Sequence, residues 1–156
     1  MFLRAARLRQ ALLAAALALP LAGCESPSGP SAADRVALAK AKAAWAALGV
    51  DDYTMVVGTV CFCGLQEIRF TVVNGVVTER VMTEPGVPLA PDAFRHIETV
   101  DAMFAHIENA IDERVAKLEV EYDSRGVPVD VMIDYEANVY DEESGWGVRS
   151  LTITPS

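Results

Sequence analysis

The chain has 156 residues, a formal net charge of −9 and three cysteines, which accommodates one ordinary domain. An apolar content of 52% excludes a largely disordered chain. The acidic balance argues against nucleic-acid binding, which needs a basic footprint to displace counterions.

That average conceals a split. Of the first 23 residues 17 are apolar, and every charge among them is an Arg. The remaining 133 residues carry 10 Lys+Arg against 22 Asp+Glu, a net of −12.

Arg4, Arg7 and Arg9 form a basic leader, and Ala11 to Gly23 is uncharged. A helix of that length spans only about 20 Å, short of the roughly 30 Å hydrocarbon core. A cleaved export signal is therefore expected rather than a membrane span. Leu21-Ala22-Gly23-Cys24 resembles the bacterial lipobox. The resemblance implies diacylglyceryl transfer to the Cys24 sulfur, cleavage before Cys24, and acylation of the new amine by a chain such as palmitate. At about 0.8 kcal/mol per buried CH₂, two or three chains hold a protein on a bilayer where one binds reversibly. Glu25 to Ser31 is rich in Ser, Pro and Gly and reads as a tether. The expected organisation is a lipoprotein signal peptide at 1–23, a lipidated Cys and flexible tether at 24–32, and one domain at 33–156. The place is the cell envelope, on the inner or outer membrane, with the domain facing the periplasm or the exterior.

Ser31 and Asp34 offer a capped start, and Leu38, Ala41, Trp45 and Leu48 fall on one helical stripe that ends at Gly49. From Asp52 the period changes to two, with Tyr53, Met55 and Val57 on one side. Ile68–Val73 and Val76–Met82 flank Asn74-Gly75, a two-residue hairpin signal. Three prolines within Glu84–Pro91 mark a loop. Thr99 caps a second helix whose apolar face is Val100, Met103, Phe104, Ile107 and Ile111. Leu118, Val120 and Tyr122 alternate with acids, Ser124-Arg125-Gly126 turns the chain, and Val129, Val131 and Ile133 alternate on the return. Pro128 lacks an amide donor and belongs at a strand start or on an edge. Glu136–Gly145 reads as an acidic loop and Val148–Ile153 as a last strand. The fold class is therefore α+β, an antiparallel sheet of five or six strands with two helices packed on one face. The order of helix and three strands occurs twice, which admits an internal duplication, although no residue-level repeat accompanies it.

These pieces together resemble a family of small bacterial secreted and lipid-anchored proteins, catalogued as domain of unknown function six-one-seven-four. The resemblance rests on Tyr53 before Cys61-Phe-Cys63, on Val73-Asn-Gly75-Val76, and on Thr99-Val100 with Phe104. It continues in Tyr122-Asp123 with Gly126-Val-Pro128, and in Asp134 before Asp141-Glu142. It covers about residues 45–153. Members often have Pro after the second Cys, where this chain has Gly64. The resemblance implies residence in the envelope and supplies no activity.

With Cys24 assigned to the anchor, Cys61 and Cys63 form an even pair in an oxidising compartment. In a flat strand their Cβ atoms would stand about 6.6 Å apart, against the roughly 3.8 Å of a disulfide. A bond across Phe62 thus needs a kink, which Gly64 permits. A local structural disulfide is the leading reading. A redox-active pair, free thiols and a soft-metal site such as Cu(I) are the alternatives.

Asp123, Asp130, Asp134, Asp141, Glu142 and Glu143 cluster in sequence without the calcium-loop spacing. They read as a solvated acidic face; Asp134, Asp141 and Glu142 are the candidates if a cation binds. His96 and His106 lie ten residues apart without a zinc spacing, and packing or surface roles are expected for them. Tyr135, Tyr140 and Trp146 read as core and rim aromatics, with a recognition patch as the alternative. No nucleophile–base motif stands out, and no cofactor is implied. The reading is a non-catalytic binding or interaction module, held to the membrane and facing an envelope protein or small ligand. The alternative is a thiol-redox or metal-handling protein using Cys61 and Cys63.

Overall fold

A computed structural model describes residues 29–60, 66–137, 139 and 143–155. The expected export signal, Cys24 and the start of the expected tether lie outside them, as do Cys61, Cys63, Tyr140, Asp141 and Glu142. The elements run α1 (Ala32–Ala46), β1 (Tyr53–Val60), β2 (Gln66–Val73), β3 (Val76–Met82), a 3₁₀ turn (Arg95–Ile97), α2 (Val100–Glu113), β4 (Lys117–Tyr122), β5 (Pro128–Asp134) and β6 (Glu143–Ile153). The strands form one sheet in the order β3-β2-β1-β6-β5-β4, antiparallel at every junction.

Local chemistry accounts for the helix starts. Ser31 and Asp34 make a reciprocal capping box on α1, which satisfies amides that have no helical partner. Thr99 Oγ1 accepts the Ala102 amide at 3.0 Å on α2. The Tyr53 hydroxyl accepts the Val100 amide at 3.1 Å, so β1 caps the first turn of α2 from beneath. Burial pushes the Tyr53 phenol up to about 12, because its charged form would be poorly solvated there.

One face of the sheet carries both helices. Met55, Val57, Ile68, Phe70, Val72, Val131 and Ile133 point into a core closed by Leu38, Ala41 and Trp45 of α1 and the expected face of α2. Each such side chain contributes about 1.5–3 kcal/mol by leaving water. The helices run antiparallel, aligned by Arg35–Asp112 at 2.8 Å and Lys42–Glu108 at 3.0 Å. These pairs are exposed and set register more than they add stability.

The structure corrects three expectations. Leu48 leaves the core stripe and is 46% exposed, because α1 ends at Ala46 and Leu48 falls in the turn before Gly49 at φ +59°. The last strand begins at Glu143 rather than Val148. Its Gly145 and Gly147 weaken a strand signal in sequence, yet they pair on both sides with β1 and β5. A Cβ on Gly145 would lie 2.7 Å from the Val131 carbonyl oxygen, so the close approach requires glycine there. Nor are the two helix-and-three-strand halves repeats. β1 and β4 point in opposite directions, while both meanders advance toward the β3 edge. With both helices on one face, no rotation superposes one half on the other.

Pro128 opens β5, where a missing donor costs least. The turn before it is tightly specified. Asp123 accepts the Arg125 and Val127 amides at 2.9 and 3.0 Å and pairs with the Arg125 guanidinium. Gly126 adopts φ +86° with its Cα against the backbone of α1.

Candidate functional site

The fold gathers polar and aromatic side chains on the helix face, where β1 and β6 pair. Thr59 of β1 and Trp146 of β6 sit directly opposite one another, so their side chains share that face. They are 5% and 3% exposed. Thr59 Oγ1 and Trp146 Nε1 have no hydrogen-bond partner among the described residues. A buried indole N–H normally finds an acceptor.

Two imidazoles lie against the Trp146 ring. His96 comes from the 3₁₀ turn and His106 from α2, and their ring centroids are 4.9 Å apart at an interplanar angle of 50°. The Trp146 ring is 5.5 Å from His106 and 6.2 Å from His96. Tyr135, just beyond β5, places its hydroxyl 3.2 Å from His106 Nε2. His96 is anchored by its buried neighbour Ile97, and His106 by Ile107 and Met103 one turn back. Burial lowers both histidines below the usual imidazole value, and His106 is lowered further by the like charge His96 would carry. Both rings are therefore neutral near neutral pH.

Of the acidic residues singled out in sequence, Asp123 is consumed by the β4–β5 turn. Asp134 sits at the end of β5 on the face opposite Trp146, paired in register with Lys117 and Glu143. One of its carboxylate oxygens is buried without a partner among the described residues. No group of three or more His, Cys, Asp and Glu is gathered among the described residues; Asp141 and Glu142 lie outside them. Cys61 and Cys63 lie outside them too, two and four residues beyond Thr59 in the chain.

The structure thus joins Trp146 and Tyr135, which the sequence placed near one another, to two histidines for which packing roles were expected. No spacing rule points to that pairing, since residues 96 and 106 belong to different elements and meet only through the path of the chain into α2. The nearest sequence signal is that each histidine directly precedes an isoleucine, at the border of a buried face.

The architecture defines an α+β domain, a single antiparallel sheet covered on one face by two helices. The model of a family described as "Family of unknown function (DUF6174)" matches residues 37–153. The match covers all six strands, and the chain belongs to that family. No curated protein matches the chain.

Proposed function

We propose that this is a lipid-anchored envelope lipoprotein whose domain acts as a non-catalytic binding module, with its ligand site at the His96–His106–Trp146–Tyr135 cluster. The observation that carries the site is the buried indole N–H of Trp146, unpartnered among the described residues, beside two neutral imidazoles. Such groups offer hydrogen bonds and lone pairs to a ligand, and leaving them unused costs about 1–3 kcal/mol each. Anchoring rests on Cys24 behind Leu21-Ala22-Gly23, and several acyl chains would make the attachment persistent.

Two measurements test this reading. Cys24→Ser is expected to release the protein from membranes, and unchanged membrane retention refutes the anchor. Native mass spectrometry of protein drawn from its own membranes is expected to show a non-covalently held mass that His106→Ala removes. A bare polypeptide in both samples that also takes up no ligand on titration refutes the binding role.

A further inference from the structure

We propose that His96 and His106 together bind one late first-row transition-metal ion, of the copper(II), nickel(II) or zinc(II) class. This rests on the reading of the cluster as a ligand site and names what the site takes.

The spacing of the rings is the first argument. With metal–nitrogen bonds of about 2.0–2.1 Å and ring centroids about 1.1 Å behind each nitrogen, two imidazoles on neighbouring positions of one ion have centroids about 4.5–5.2 Å apart. The observed separation is 4.9 Å. The 50° inclination of the rings fits two ligands on one ion as well as an ordinary tilted aromatic contact.

The second argument is the outer contact. Tyr135 lies against Nε2 of His106. With the proton on Nε2 and the phenol oxygen accepting it, Nδ1 carries the free lone pair. Metal-bound histidines are commonly held in this way, one ring nitrogen on the ion and the other N–H on an oriented oxygen. The Trp146 ring walls one side, leaving the remaining coordination positions to water or a second ligand.

The donor set decides the class of ion. Calcium and magnesium require oxygen ligands, and no carboxylate is hydrogen-bonded to either imidazole among the described residues. Imidazole nitrogen suits zinc, copper and nickel, and at a site of this kind copper(II) binds most tightly of the three.

The acylated protein, extracted from membranes and stripped with a chelator, is titrated with Cu²⁺, Ni²⁺, Zn²⁺ and, for contrast, Mg²⁺, by calorimetry and tryptophan fluorescence. The same titrations are run on His96→Ala, His106→Ala, the milder His106→Gln, and the whole set repeated in a Cys61→Ser/Cys63→Ser background. The expected result is one ion per chain with copper tightest and Mg²⁺ silent, and at least a tenfold loss of affinity on replacing either histidine, in one background or both. For a variant that fails to fold, the wild-type spectrum decides: sub-stoichiometric Cu²⁺ should broaden the ring-proton resonances of both histidines. Binding that is indifferent to both histidines overturns the proposal, as does the absence of stoichiometric binding. A histidine-dependent organic mass in the native spectrum, with no response to any metal, overturns the metal assignment and leaves the binding role intact. An empty protein with no metal response overturns both.

Discussion

Replacing Gly126 with Ala should be among the most damaging single-methyl changes in the domain, for two separable reasons. The residue holds φ +86°, a conformation that costs an L-amino acid about 1 kcal/mol or more. The added Cβ would also lie 2.2 Å from the Ala41 carbonyl oxygen, whereas ordinary contact begins at 3.4 Å. The β4–β5 turn and α1 must then separate by about 1.2 Å, and overpacking of this kind costs about 1–3 kcal/mol. The combined loss is about 2–4 kcal/mol, or roughly 6–20 °C in Tm for a domain of this size. Gly75→Ala is the matched control, since Gly75 has φ +73° and nothing within 4 Å of its would-be Cβ. It should cost about 1 kcal/mol, the conformational part alone. Urea unfolding followed by the combined fluorescence of Trp45, on the helix that must move, and Trp146 reads the difference. Equal losses for the two variants would refute the claim that α1 rests on this turn.

Tyr53→Phe removes the acceptor of the Val100 amide and should cost about 1–3 kcal/mol, the penalty for a buried donor left unpaired; an unchanged urea midpoint counts against that bond. For the histidines the unfolded state keeps the ordinary value near 6.5 and the folded state a lower one. The unfolded chain therefore binds more protons below that pH, so stability present at pH 7.5 is lost as pH falls through 6.5 toward the folded values. His106→Gln should lose less stability than wild type between pH 7.5 and pH 5.5, and parallel profiles would remove the histidines from the account. The expected local disulfide between Cys61 and Cys63 leaves no titratable thiol in the native protein without reductant. A reversible couple near the poise of the compartment would instead favour the redox reading.

The two helices and five of the strands are legible because their signals are local. Thr99 and the apolar spacing of α2 mark a helix, and Asn74-Gly75 marks a hairpin whose residues both take positive φ. The start of β6 was not legible, because Gly145 and Gly147 look like loop residues until the neighbouring strands are known to close on them. The Tyr122-Asp123, Gly126 and Pro128 motif keeps its reading as a turn before a strand start and gains a packing role once folded. It is a structural brace, an aspartate tying the turn, a glycine admitting α1 and a proline opening β5. Tyr135 and Trp146 were legible as a candidate patch, but their meeting with the two histidines was not, since the four come from a 3₁₀ turn, a helix, a strand and a loop.

The sequence by itself determined the capped start of α1 at Ser31, the class of fold and the family, because capping and apolar periodicity act over a few residues. Tertiary structure alone decided which side chains meet. The crossover through α2, from one edge of the sheet to the other, sets His106 over Trp146 beside His96. Proximity of that kind arises from long-range packing, in which contact partners share a face of the sheet rather than a neighbourhood of the chain.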